Sequence, residues 1–141
     1  TEVLLKLYLV YGQEMVHKIR GMFSFAIWDN QKKGLFLARD PFGIKPLYYY
    51  TDSNCFAFAS EIKGLKANKE ISTTLDYSSF TDYFVYRYIP SPKSIWREVK
   101  KLPAAHYLLP SLKDDSRGNL FESDQPNYSP DCVRIAFPEQ S

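Results

Sequence analysis

Apolar residues recur along the chain first with a helical spacing and then with a strand spacing. The first twenty residues predict one helix, with a break at Gly12. Its apolar positions follow one another at intervals of three or four: Leu4, Leu7 or Tyr8, Tyr11, Met15 and Ile19. Such spacing places these side chains on one face, so the helix is expected to pack against the rest of the fold.

The next segment alternates between large and small side chains. Phe23, Phe25 and Ile27 share one face of a predicted strand over 22–28, and a polar turn follows it. Further short strands are predicted from apolar runs that are bounded by turn residues. They cover 35–38, 47–50, 55–59, 94–99 and 105–109. The first four of the six predicted strands form two β-hairpins.

Two shorter helices are predicted from their N-terminal residues. Ser60 is the predicted cap of a short helix, and Asp76 is the predicted cap of a longer one. Pro90 and Pro92 are expected to end the longer helix, since proline cannot continue a helix. The elements together predict an α+β fold.

Composition narrows the class of protein. Hydrophobic residues make up 45% and charged residues 24% of the 141 residues, which excludes a fully disordered or collagen-like chain. The aromatic share of 16% favours a β-rich sandwich. A net charge of +2 provides no basic surface for nucleic acid, so no nucleic-acid partner is expected.

Compartment and chain ends give further expectations. No apolar run has the length of a membrane-spanning helix, and no signal peptide is present at the start, so no membrane association is expected. The two cysteines, Cys55 and Cys132, do not form a disulfide framework, which favours a reducing, cytoplasmic location. The chain begins at Thr1 inside a predicted helix, so we expect the sequence to be incomplete at its N-terminus.

The sequence contains no generic catalytic motif and no predicted metal site. His17 and His106 lack ligands at metal-binding spacing, and the scattered glycines form no phosphate-binding loop for ATP. Asp29, Asp40 and Glu61 each lie at the end of a predicted strand, where active sites often lie. Turn and cap formation are the favoured roles of these three acids.

Two other residue types leave alternatives open. The tyrosines at 48–50 could stack on single-stranded nucleic acid, but a position in the core is favoured. Cys55 lies among apolar residues without a neighbour that would lower its pKa, so a buried, inert thiol is predicted rather than a nucleophile.

Several segments closely resemble one enzyme family, the glutamine-dependent asparagine synthetases. They are Gly-Met-Phe-Ser-Phe-Ala-Ile-Trp-Asp at 21–29, Ala-Arg-Asp-Pro-Phe-Gly-Ile-Lys-Pro-Leu-Tyr-Tyr at 38–49 and Phe-Ala-Ser-Glu-Ile-Lys-Gly-Leu at 58–65. Residues 101–109 are similar to a stretch near the end of the family's glutaminase domain. The resemblance covers residues 1–109, and we interpret 110–141 as a poorly ordered tail of unrecognised character.

The resemblance implies the later part of an N-terminal-nucleophile αββα sandwich with antiparallel sheets. In this family an N-terminal cysteine hydrolyses glutamine, and ammonia passes through a tunnel to a second domain that activates aspartate with ATP. The full-length enzyme is expected to use glutamine, aspartate, ATP and Mg, and to form a homodimer. The nucleophile and the ATP site have no counterpart in these residues, so the fragment alone is predicted to bind no cofactor and to be inactive, with no catalytic or substrate-binding residue.

The resemblance assigns roles to few residues. Met22 matches the residue that lines the start of the ammonia tunnel, and a position in the core is the alternative. Arg39, Asp40 and Gly43 match a loop that shapes the scaffold behind the glutamine pocket. Where the family has Pro-Gly this chain has Ala-Ala at 104–105, so a turn with positive φ would be strained there.

Two other functions remain open at this point. The chain could be a non-catalytic interaction module built on the same scaffold. It could also belong to an amidotransferase with another acceptor, as in the synthesis of phosphoribosylamine or glucosamine phosphate, although the segments at 45–49 and 60–63 favour asparagine synthetase.

Overall fold

A computed structural model describes residues 1–52, 55–110 and the backbone of 132–134. The helical elements are α1 (Glu2–Tyr11), a 3₁₀ helix (Gly12–Lys18), α2 (Ile62–Leu65) and α3 (Tyr77–Tyr86). The strands are β1 (Ser24–Asp29), β2 (Gly34–Arg39), β3 (Tyr48–Thr51), β4 (Phe56–Ala59), β5 (Val99–Lys101), β6 (His106–Leu108) and β7 (Cys132–Arg134). The predicted tail at 110–141 lies outside the described residues, apart from Pro110 and the β7 backbone.

The strands form two sheets in which every pairing is antiparallel. One sheet has the order β1-β2-β6-β7 and the other the order β4-β3-β5. In the first sheet β1 and β2 form a hairpin with Ser24 opposite Arg39 and Asp29 opposite Gly34. The predicted α+β class with antiparallel sheets is confirmed, and both predicted hairpins are present.

The two faces of β2 show how the elements are layered. Phe36 and Ala38 are buried against α1 and the 3₁₀ helix, in a cluster with Met15 and Val16. Leu37, on the opposite face, is buried in a second cluster that contains residues of the other sheet. A third cluster packs α2 against the far face of that sheet: Tyr50, Leu65, Ile71 and Val99. The described elements therefore follow the order helix, sheet, sheet, helix.

Two local predictions are confirmed by backbone geometry. The N-terminal helix breaks at Gly12, whose φ of +57° is in the left-handed region that glycine tolerates. Asp76 caps α3, because its carboxylate accepts a hydrogen bond from the backbone N–H of Ser78 at 3.0 Å.

Three predicted boundaries are wrong. Ser60 does not cap α2, since Glu61 lies at the cap position and makes no capping bond through its side chain. The helix α3 ends before Pro90, because Arg87 takes a left-handed conformation and its N–H bonds to the Tyr83 carbonyl. The strand expected over 94–99 is observed as β5, which begins only at Val99, the last residue of the predicted range.

The cause of the shifted strand is a local turn. Ser94 Oγ accepts a hydrogen bond from the Trp96 N–H and donates one to the Trp96 carbonyl, which competes with strand pairing. Only an isolated bridge between Leu75 and Trp96 forms in that segment. No helix within the described part of the chain is long and apolar enough to cross a membrane.

Candidate functional site

The loop between β2 and β3 is organised by a buried arginine. The Arg39 guanidinium donates hydrogen bonds to three backbone carbonyls, through Nε to Lys45 at 2.7 Å, Nη2 to Gly43 at 2.6 Å and Nη1 to Leu102 at 2.5 Å. Two of these carbonyls belong to the loop itself, and the third belongs to the segment between β5 and β6. Arg39 therefore clamps the loop to a distant part of the chain.

The neighbouring aspartate, Asp40, binds the same loop through its carboxylate. The Asp40 carboxylate accepts hydrogen bonds from the backbone N–H groups of Phe42, Ile44 and Lys45, at 3.0 to 3.1 Å. The residue is 0% exposed, and no buried side-chain N or O atom in the described part of the chain lacks a partner. We call Arg39, Asp40 and the backbone groups they bind the Arg39–Asp40 cluster.

Electrostatics favour the ionised form of this carboxylate. Burial opposes ionisation of Asp40, but the three backbone N–H donors and the adjacent Arg39 charge outweigh it and lower the pKa of Asp40 below its ordinary value. Burial lowers the pKa of Arg39, and the charge of Asp40 opposes that shift. Both oxygens of this ionised carboxylate accept hydrogen bonds from the loop's own N–H groups.

Gly43 is required by both its conformation and its surroundings. Its φ is +64°, and an added Cβ would lie 3.0 Å from the Ala104 Cβ and 3.3 Å from the Arg39 guanidinium. Ala105 lies beside this contact with a φ of +58°, as the sequence comparison with Pro-Gly predicted. The strain expected at 104–105 is therefore present in the structure.

Met22 lies at the start of the β1–β2 hairpin, on the side of the Arg39–Asp40 cluster. Its side chain is 59% exposed, so the alternative position in the core is wrong. Phe42 and Ile44, on the loop itself, are 83% and 56% exposed. Sequence reasoning missed this exposure, although two large apolar residues in a rigid loop with two prolines were a signal for a presented surface.

The other candidate acids have structural roles. The Asp29 carboxylate accepts hydrogen bonds from the N–H groups of Gln31 and Lys32 in the hairpin turn, and from the Tyr8 hydroxyl. Glu61 lies 2.6 Å from the Lys63 ammonium at the start of α2, beside a shallow cleft of about 280 Å³. Among the residues that the structure describes, neither carboxylate is paired with a nucleophile or a second acid.

The remaining candidates do not form a reactive centre. Tyr49 and Tyr50 are buried, as the favoured position in the core predicted, and Tyr48 is half-buried. Burial, followed by the charges of Asp52 and Glu70, raises the pKa of the Cys55 thiol. Within 1–52 and 55–110, no three His, Cys, Asp or Glu residues are grouped so that they could hold a metal ion.

Comparison with known proteins places this arrangement in a family. Residues 1–119 match the family described as "Glutamine amidotransferase domain". The chain belongs to this family. The Arg39–Asp40 cluster, the exposed Met22 and both hairpins all lie in the matched part of this amidotransferase domain.

Relatives of known name extend the comparison. "Asparagine synthetase (glutamine-hydrolyzing) 1" of Bacillus subtilis is 44% identical over 103 residues, which cover 72% of this chain and 16% of the relative. A Methanocaldococcus jannaschii protein, provisionally named asparagine synthetase (glutamine-hydrolyzing) 2, is 39% identical over 132 residues, or 92% of this chain and 26% of the relative. This chain therefore spans about a quarter or less of the length of these relatives.

Proposed function

We propose that this chain is the scaffold portion of the glutaminase domain in a glutamine-hydrolysing asparagine synthetase. The observation that carries the proposal is the Arg39–Asp40 cluster, in which two adjacent buried charged side chains each make three hydrogen bonds to backbone groups, inside the segment that matches the amidotransferase family. Such a cluster fixes the loop that joins the two sheets, and no buried side-chain N or O atom among the described residues lacks a hydrogen-bond partner. The names of the relatives supply the product, asparagine, and the hydrolysis of glutamine, and the family resemblance supplies aspartate as the acceptor.

In this proposal the described residues hold the domain together and line the exit for ammonia. Met22 forms the start of the ammonia route, since its unbranched apolar side chain is exposed and would not retain ammonia by hydrogen bonding. The residues present do not fit ATP or Mg: the sequence has no phosphate-binding glycine loop, and no three His, Cys, Asp or Glu residues among those described are grouped so that they could hold a metal ion. ATP, Mg and aspartate are therefore assigned to a part of the enzyme outside this chain.

A labelling experiment on the protein encoded by the complete reading frame tests this function. The protein is incubated with amide-¹⁵N glutamine, aspartate, ATP and Mg, and the products are identified by mass spectrometry. The expected product is asparagine labelled in its side-chain amide, and omission of aspartate is the control. Chain 1–141 alone is expected to release no glutamate.

The other outcomes discriminate between the alternatives. Label in an amino sugar phosphate or in phosphoribosylamine, when the corresponding acceptor is supplied, would assign the domain to another amidotransferase. Absence of glutamate release from the complete protein would contradict the proposal and favour a non-catalytic interaction module. The proposed homodimer is tested separately by light scattering on the same sample.

A further inference from the structure

The β1–β2 hairpin is extended at one end by a hydrogen bond from the cluster. The backbone N–H of Asp40 donates to the backbone carbonyl of Phe23 at 2.8 Å, one residue beyond the pairing of Ser24 with Arg39. Met22 comes directly before Phe23, and the peptide that leads into it contains Gly21 with a φ of +104°. The Phe23–Asp40 bond is thus a backbone hydrogen bond that fixes the residue next to Met22.

The geometry of that bond depends on how Asp40 is held. The backbone carbonyl of Asp40 accepts hydrogen bonds from the N–H groups of Gly43 at 3.1 Å and Ala105 at 2.9 Å. Its carboxylate binds the N–H groups of the following loop, as described above. Every polar group of Asp40 is therefore used to fix one conformation. A change at the carboxylate would loosen the loop and, through the Asp40 backbone, the Phe23 contact.

We infer that Asp40 is a positioning residue for ammonia transfer, which holds Met22 at the start of the route through the Phe23 backbone. The inference rests on the proposed function. Hydrolysis of one glutamine by one water gives one glutamate and one ammonia, and attack of that ammonia on aspartate activated as its adenylate gives one asparagine and releases AMP. When Met22 is displaced, ammonia escapes to solvent, and the ratio of glutamate to asparagine rises above one.

The test compares Asp40→Asn with the parent in the protein from the complete reading frame. Glutamate and asparagine are measured together with glutamine as the nitrogen source, and asparagine is measured again with ammonium chloride. We expect the glutamate-to-asparagine ratio to rise several-fold in Asp40→Asn. We also expect the glutamine-dependent synthesis to fall by a larger factor than the ammonium-dependent synthesis, because added ammonium bypasses Met22.

Asp29→Asn is the matched control. Asp29 binds backbone N–H groups of a turn in the same way as Asp40, but it lies at the opposite end of the same hairpin, opposite Gly34. Its substitution is expected to leave the ratio at the parent value. The inference would be overturned if Asp40→Asn kept the glutamate-to-asparagine ratio of the parent. It would also be overturned if asparagine synthesis fell by the same factor with glutamine and with ammonium.

Two further outcomes are separated by design. If the parent forms no asparagine from glutamine, the proposed function fails. If the parent and the Asp40→Asn variant both give a glutamate-to-asparagine ratio near one, only the positioning role is contradicted. If Asp40→Asn does not fold, Gly43→Ala is used, because its Cβ would displace the loop while both oxygens of the Asp40 carboxylate remain. A parental ratio in folded Gly43→Ala would likewise overturn the inference.

Discussion

The backbone N–H of Ala105 donates a hydrogen bond to the carbonyl of Asp40 at 2.9 Å, and Ala105 makes it in a left-handed conformation with a φ of +58°. An alanine in this region is strained, because its Cβ crowds the following carbonyl oxygen. The turn at 104–105 therefore stores strain beside the most highly connected residue of the loop.

Relief of this strain predicts that Ala105→Gly stabilises the protein. Glycine tolerates positive φ, and after the greater entropy of its unfolded state is subtracted we expect a gain of roughly 0.5–1 kcal/mol in the free energy of unfolding. Urea unfolding of the variant and the parent measures the difference. Ala104→Gly, at a neighbouring position without positive φ, is the control and is expected to lower stability. An equal or lower stability of Ala105→Gly would contradict the strain argument.

Replacement of Gly43 by alanine is expected to have the opposite effect on stability. In Gly43→Ala the alanine would have to adopt a φ of +64°, and its Cβ would lie 3.0 Å from the Ala104 Cβ. We therefore expect the free energy of unfolding to fall by about 1–3 kcal/mol. Gly34→Ala is the matched control, because its nearest neighbour would be the Lys32 carbonyl oxygen at 3.8 Å. That variant should unfold within about 0.5 kcal/mol of the parent. Comparable losses in both variants would contradict the prediction.

Sequence pattern predicted the hairpins and the N-terminal helix because their apolar positions follow a strict local period. It did not predict how Leu102 and Phe23 meet the loop, since the Arg39–Leu102 contact joins residues 63 positions apart. Local spacing carries no information about a backbone carbonyl at that distance. The strain at Ala105 could be predicted only because the resemblance supplied the glycine that the family has there.

Acid stability should depend on Asp40. Its pKa is lower in the folded protein than in the unfolded chain, despite burial, so its contribution is complete at neutral pH and is lost as the pH falls below about 4. Asp40→Asn should therefore be less stable than the parent at pH 7, and the difference should narrow in acid. Urea unfolding at a series of pH values measures it. A difference that stays constant with pH would show that the carboxylate charge is not involved.

The chain 1–141 is expected to self-associate when it is produced alone. The aromatic residues Phe80 and Phe84 on α3 are 47% and 65% exposed, and their rings pack against each other at 5.0 Å without a covering element among the described residues. Light scattering should show a mass that increases with concentration. Phe80→Ser combined with Phe84→Ser should reduce the increase, whereas Thr81→Ser on the same helix should not. A parent that remains monomeric at all concentrations would contradict this expectation.

Cys55 should react slowly with thiol reagents. Burial raises the pKa of its thiol first, and the negative charges of Asp52 and Glu70 add to the shift, so the thiolate fraction at neutral pH is below that of an ordinary cysteine. In a Cys132→Ser variant, where Cys55 is the only cysteine left, a disulfide reagent should modify the protein more slowly than it modifies glutathione at pH 7. The rate should rise as the pH increases toward the raised pKa. A rate equal to or above that of glutathione would show that the Cys55 thiol is as readily ionised as an ordinary cysteine, which would contradict the prediction.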